Sequence, residues 1–252
     1  MLEAYLRDAL VARLTAWADD EVVLAQRLSQ WVGHAPILEE DIAIANLAQD
    51  ELGHAKVWLD LRQELDGSDP DRLVYFRDPL EFQNAILVEL PKGDWAFTMV
   101  RQYLFDAYEN LWLKEAAKSA YPPLAEAASR ILKEERFHLR HSSLWLERLG
   151  QGTEESHRRA QEALDTLYPY ARQLFRPLPT DDALVEAGLV PDLRALEATY
   201  LEEVGRMLAR AGLKPPEGGY VPQSRREHTE YLWSLLAEMQ SVARWDPEAK
   251  AW

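Results

Sequence analysis

The chain has 252 residues, 47% of them hydrophobic, and sets 43 acidic side chains against 28 basic ones for a formal net charge of −15. So acidic a surface repels phosphate backbones, which argues against nucleic acid as a partner, and no apolar run reaches the roughly eighteen residues that a membrane-spanning helix needs. With no cysteine, disulfides, thiolate zinc sites, iron–sulfur clusters and thiol nucleophiles are excluded together.

The N-terminal segment, MLEAYLRDALVARLTAWADDEVVL, carries charges throughout and lacks the basic-then-apolar layout of a signal peptide, so a cytoplasmic protein is expected. Helical periodicity then runs through residues 2–32, 39–66, 93–119, 122–149, 154–175, 191–211 and 225–243. Turn signals separate these segments: GHAP, DGSDP, PKGD, YPP, GQGT and LKPPEGGYVP. No segment alternates with period two, so strands are not expected. The link over 67–92 is long and is predicted to hold a short helix near 79–89. Two helices, a long crossover and two more helices make a ferritin-like four-helix bundle, an all-α fold. The expected organisation is one domain over 1–252, with the core bundle in 1–150 and accessory helices in 151–252.

The first helix presents the stripe Leu10, Leu14, Trp17, Glu21, Leu24, Leu28, Trp31, one carboxylate in an apolar line. The second presents Ile44, Leu47, Glu51, His54, Trp58, Leu61, Leu65. The third gives Trp95, Met99, Gln102, Asp106, Glu109, Leu113, Ala116, and the fourth Leu124, Ala128, Ile131, Glu135, His138, Ser142, Trp145, Leu149. Glu51 follows Glu21 by 30 residues and Glu135 follows Asp106 by 29, so all four helices send acids inward at a similar depth. Buried carboxylates clustered in this way repel one another. They must share protons, pair with Lys or Arg, or bind cations, and no Lys or Arg lies on the four stripes. Two divalent ions would balance four carboxylates, with two imidazoles completing the shell. One carboxylate from each of two helices plus Glu-x-x-His from each of the other two is the dinuclear iron or manganese pattern. The candidate metal ligands are Glu21, Glu51, His54, Asp106, Glu135 and His138, and whether Glu109 replaces or joins Asp106 stays open.

A third Glu-x-x-His, Glu154 to His157, has no matching acid upstream and is expected to be only a charged first turn. Tyr103 and Tyr108 are expected to pack, and the nine tryptophans to anchor the core or interfaces. His34 belongs to a turn, His141 lies beside the site or in solvent, and His228 packs or meets a partner. No dinucleotide fingerprint, P-loop or nucleophile elbow occurs. An oxygen-activating centre here would take its electrons from another protein.

The runs WVGHAPILEEDIAIANLAQDELGHA, FRDPLEFQNAILVELPKGDWAFTMVRQYLFDAY, ERFHLRHSSLWLERLGQGT and HTEYLWSLLAEMQSVAR resemble the C-subunit family (PaaC) of the bacterial phenylacetyl-CoA ring epoxidase, over essentially the whole chain. The resemblance implies a ferritin-like subunit of a multicomponent monooxygenase in phenylacetate catabolism. It also implies a catalytic A subunit, which carries the working di-iron centre, and a flavin and iron–sulfur reductase that delivers electrons from NADPH. Family C subunits have generally lost part of the ligand set, whereas all six residues stand here. Three roles follow: a structural partner of the A subunit with a metal-capable bundle, a di-iron oxygenase subunit in its own right, or a ferritin-like metal store or peroxide scavenger. The long shared runs argue against the last.

Overall fold

A computed structural model describes residues 2–249, which are helical and, among the described residues, free of strands. In chain order the helices are α1 (Ala4–Ser29), α2 (Leu38–Asp66), α3 (Pro70–Tyr75), α4 (Ile86–Glu89), α5 (Trp95–Ala116), α6 (Pro122–Gln151), α7 (Glu154–Ala171), α8 (Asp181–Glu186), α9 (Leu193–Ala211), α10 (Glu230–Met239) and α11 (Ser241–Trp245). α1 pairs with α2 and α5 with α6, joined by the long crossover, which is the ferritin-like plan. Gly67, at φ 75°, closes α2 in a left-handed turn that a Cβ would oppose. Asp94 opens α5 by accepting the Phe97 amide at 2.8 Å.

The inward stripes of the four long helices are buried almost throughout, with Leu65, Trp145 and Leu149 only half-buried at their ends. α5 is buried on 19 of its 22 residues. A helix enclosed on every side needs cover beyond three bundle neighbours, and α7 and α9 supply it, while α8 and α10 lie against α1. Polar ties hold these later helices to the bundle. Arg13 donates to Asp181, Arg225 to Asp20 at 2.6 and 2.8 Å, and the Tyr200 hydroxyl to the Leu104 carbonyl at 3.0 Å.

The crossover departs from expectation for a physical reason. The helix predicted near 79–89 splits into a 3₁₀ turn, Pro79–Glu81, and the single-turn α4. Between them the amides of Gln83, Ala85 and Ile86 donate to Asp19, Asp20 and Gln173 at 2.9, 2.7 and 2.7 Å. Side chains from α1 and from the 3₁₀ turn after α7 thus take the donors that a continuous helix would use. The helix predicted over 225–243 starts only at Glu230, because Arg225 is drawn into the core and His228 bonds Glu89 at 2.9 Å and the Phe82 carbonyl at 3.0 Å. The periodicity missed α3 and α8, each six residues long.

Gly53 is an anomaly of another kind. It sits exposed in the middle of α2, and no atom lies within 4 Å of where its Cβ would be. Mid-helix glycine costs about 0.5–1 kcal/mol relative to alanine, and nothing in the chain requires it. Gly53→Ala is therefore expected to stabilise the isolated chain by about that amount, read as a rise in the urea unfolding midpoint.

Candidate metal centre

The acids of the four stripes meet at mid-bundle. Glu21, Glu51 and His54 bring one ligand atom each within 4.8 Å of one another, and Glu51, Glu135 and His138 do the same, so Glu51 belongs to both sets. All five are buried, and the imidazole centroids lie 5.8 Å apart. His54 Nδ1 lies 3.5 Å from Glu135 and 3.9 Å from Glu21, and His138 Nδ1 lies 2.6 Å from Glu135 and 3.6 Å from Glu51. These groups could hold a metal ion.

Each imidazole is oriented from behind by a carboxylate of the opposite helix. His54 Nε2 donates to Glu134 at 2.9 Å, and His138 Nε2 donates to Asp50 at 3.2 Å. With hydrogen on Nε2, the Nδ1 lone pair faces the centre. Ligating histidines are commonly fixed by this kind of outer carboxylate. Glu134 and Asp50 are half-exposed, at 51% and 45%, so the outer ends of both pairs reach the α2–α6 surface.

The two acids of α5 have different surroundings. Asp106 accepts from Gln102 Nε2 at 2.7 Å and from Ser142 Oγ at 2.6 Å, and Gln102 also donates to Glu51 at 3.1 Å. Glu109 has no such donors, and its Oε2 is buried without a partner. It faces Glu21, Glu51 and Glu135. The structure thus brings all six predicted residues into one region, satisfies Asp106 with neutral donors and leaves Glu109 open toward the other acids.

The electrostatics are those of a set short of positive charge. Burial, then the charges of Glu109 and Glu51, raise Glu21 well above the carboxylate range. Burial, then Glu135, does the same to Asp106 and Glu109, and burial raises Glu135. For Glu51, burial is outweighed by the neighbouring Glu21, His138 and His54 side chains, and it falls well below that range. Burial would lower the histidines. Glu51, chiefly, raises His54 instead, while the Glu135 charge, the hydrogen bond to Asp50 and the nearby Glu135 and Glu51 carboxylates raise His138. No guanidinium helps. The buried Arg13, Arg27, Arg101 and Arg225 bond Asp181, the Glu89 carbonyl, the Leu90 and Pro91 carbonyls, and Asp20. Both Glu21 oxygens, both Glu135 oxygens, Glu51 Oε2 and both Nδ1 atoms make no aligned hydrogen bond, although His138 Nδ1 and Glu135 approach to 2.6 Å. Buried polar atoms are rarely left this way, and hard divalent cations suit such oxygen and imidazole donors.

Tryptophans enclose the region. Trp17 stacks on Trp112 at 4.3 Å with Trp58 against both, each about one turn from Glu21, Glu109 and His54 respectively. Trp31, Trp95 and Trp145 pack edge-to-face at the other end of the bundle. Six of the nine are packing anchors, Trp233 and Trp245 are exposed, and Trp252 lies outside the described residues. Tyr103 and Tyr108 are buried, with burial raising both hydroxyls. His141 bonds Glu40 at 2.7 Å at the α2–α6 seam, and His34 bonds the Val32 carbonyl within its turn. His157 donates to the Gly150 carbonyl at 2.7 Å beside a Thr153-capped, acidic first turn. Asp50 and Glu134 escaped the periodicity because they point off the apolar stripe. Their signal was an acid directly before each Glu-x-x-His.

The family model described as phenylacetic acid catabolic protein matches residues 1–252. The chain is 41% identical over 239 residues to the C subunit of 1,2-phenylacetyl-CoA epoxidase from Escherichia coli (strain K12), covering 92% of this chain and 96% of that one. It is 26% identical over 177 residues to the A subunit of the same bacterial epoxidase, covering 70% of this chain and 57% of that one.

Proposed function

Because the chain belongs to the phenylacetic acid catabolic protein family, we propose that it is one component of a phenylacetyl-CoA ring epoxidase, working beside an A-type catalytic subunit. The observation that carries this reading is the 41% identity to a C-type relative along nearly the full length of both chains. The A-type chain would hold the substrate and turn it over, and this chain would support it within a hetero-oligomer. A separate reductase would supply electrons. No helix among the described residues is long and apolar enough to cross a membrane, in keeping with a cytoplasmic complex.

In this reading the bundle retains a dinuclear iron or manganese site. Glu21, Glu51, His54, Glu135 and His138 would hold the ions, with Glu109 the α5 carboxylate open to them and Asp106 set back on Gln102 and Ser142. Bound as iron, the pair would supply two-electron redox chemistry toward dioxygen. The protein's part can be stated in its own residues. Glu134 and Asp50 keep the hydrogen on Nε2 of each histidine, Gln102 steadies Glu51 and Asp106, and the Trp17–Trp58–Trp112 stack keeps water from one end.

The test is reconstitution. The iron-supplied chain, given electrons, is expected to leave phenylacetyl-CoA unchanged alone and to support oxygen-dependent epoxidation once the A-type chain of the same organism is added. Epoxidation by this chain alone would replace the supporting role with a catalytic one. No gain on adding it to the A-type chain would end the proposal.

A further inference from the structure

Three of the four seams between the bundle helices are closed to a cation. α4 packs against both α1 and α5, and α7 and α9 pack against both α5 and α6, so those two seams are covered. Over the α1–α2 seam lies a groove floored by the buried Val22, Ala55 and Leu59, whose side chains offer a cation no oxygen or nitrogen. Trp17, Trp58 and Trp112 close one end of the bundle, and Trp31, Trp95 and Trp145 the other. The α2–α6 seam differs. Among the described residues no later helix packs against both α2 and α6, and only His54 and His138 stand between the centre and the half-exposed Glu134 and Asp50. Each of these carboxylates spends one oxygen, Oε2 or Oδ2, on its imidazole, and among the described residues no protein donor reaches the other oxygen. Gly53 lies between Asp50 and His54 on α2, exposed and with no atom within 4 Å of where its Cβ would be. It weakens the helix by about 0.5–1 kcal/mol at the turn that carries His54, although the packing does not call for it.

Resting on the dinuclear site of the proposed function, we infer that the α2–α6 seam is the entry route to that site. Asp50 and Glu134 are the first protein ligands met by an arriving hydrated divalent cation of the iron or manganese class. The chemistry is ligand exchange. An apolar wall would strip water from a cation and give nothing in return, whereas the free oxygens of Asp50 and Glu134 replace that water at the surface. His54 and His138 supply the next donors, and local opening of the α2 turn at Gly53 lets His54 move aside. Beyond them lie the buried oxygens of Glu21 and Glu135, which make no aligned hydrogen bond. Lys133 and Arg136, exposed beside Glu134, offset its charge, so the seam captures ions by ligation rather than by a long-range field.

Chelator-treated full-length chain mixed with saturating manganese(II) tests this, with tryptophan fluorescence following uptake and mass spectrometry counting the ions bound at the end point. Asp50→Asn with Glu134→Gln keeps an acceptor for each imidazole but removes the charge. Uptake by this variant is expected to slow by about tenfold or more, while the end point stays at the wild-type value. Residues that only strengthen binding would, when replaced, speed release into excess chelator and leave uptake unchanged, so uptake is the deciding rate. Gly53→Ala is expected to slow uptake by about two- to fivefold, again with an unchanged end point, because its turn opens less often. Asp60→Asn with Glu64→Gln removes two acids from the groove farther along the same seam, beside Pro122, and is expected to leave the rate within about twofold. Wild-type uptake that the Asp50 and Glu134 changes leave unaltered overturns the inference and leaves the dinuclear site standing. Slowing by the Asp60 and Glu64 changes instead would move the route to that groove and also overturn it. A wild type that binds no manganese removes the site and the inference together.

Discussion

Chain expressed with iron or manganese is expected to carry about two ions per molecule, the number that balances four inward carboxylates, and the Glu135→Ala, His138→Ala variant to carry none. Inductively coupled plasma mass spectrometry reads both. The expectation rests on the buried oxygens and Nδ1 atoms at mid-bundle that make no aligned hydrogen bond and on the absence of any guanidinium spent there. Ions that bind only the folded chain stabilise it by about 2.7 kcal/mol at a hundredfold excess over Kd. That gain should vanish in the variant. Glu21→Gln should raise the stability of the metal-free chain, since it removes one ionisable group that burial and the Glu109 and Glu51 charges oppose, while weakening metal uptake. A wild type that stays metal-free, with unchanged unfolding when ions are added, would leave the cluster held by protons alone.

The same cluster sets a pH dependence. Glu21, Asp106, Glu109 and Glu135 are raised in the folded chain, first by burial, and the histidines are raised by the acids around them. A group raised on folding contributes stability that is present below its unfolded value and lost as pH climbs through its folded one. Metal-free chain should therefore become less stable as pH rises above about 5, where the unfolded carboxyls have already ionised. Glu51, which is lowered, works the other way but only at more acid pH. Metal binding demands ionised carboxylates and neutral imidazoles, so the stabilising effect of added ions should grow with pH. Urea midpoints at two pH values, with and without manganese, check both signs.

Loss of one partner of the Asp20–Arg225 pair is expected to cost about 3–5 kcal/mol, the range for breaking a buried ion pair. Arg225 is 1% exposed and Asp20 2%. Arg225 donates to both Asp20 oxygens and to the Leu174 carbonyl, and Asp20 also accepts the Ala85 amide at 2.7 Å. Four segments meet in this knot: α1, the crossover, the turn after α7 and the residues before α10. Burial raises Asp20, and Arg225 offsets this only in part. The intact pair therefore contributes less than its rupture costs. Arg225→Ala and Asp20→Ala should each unfold at much lower urea, whereas Asp20→Leu with Arg225→Met should recover most of the loss. Because Glu21 is the next residue on α1, the single variants should also take up less metal. A small change in both would mean that water readily replaces either partner.

Residue periodicity was enough to determine the all-α class, the four long helices, the long crossover and the six inward residues, because each long helix repeats its apolar signal over many turns and an acid inside such a stripe stands out. Local chemistry likewise marked the Glu154–His157 pair as a first turn. Tertiary structure alone decided the rest. The crossover is broken where Asp19, Asp20 and Gln173 capture its amides, and residues 225–229 stay out of α10 because Arg225 and His228 are held elsewhere. The same long-range geometry separates Asp106, met by Gln102 and Ser142, from Glu109, left facing other acids. It also places Asp50 and Glu134 behind the histidines of the opposite helix. These are contacts between residues far apart in the chain, and no spacing along one helix encodes what a second helix will bring beside it.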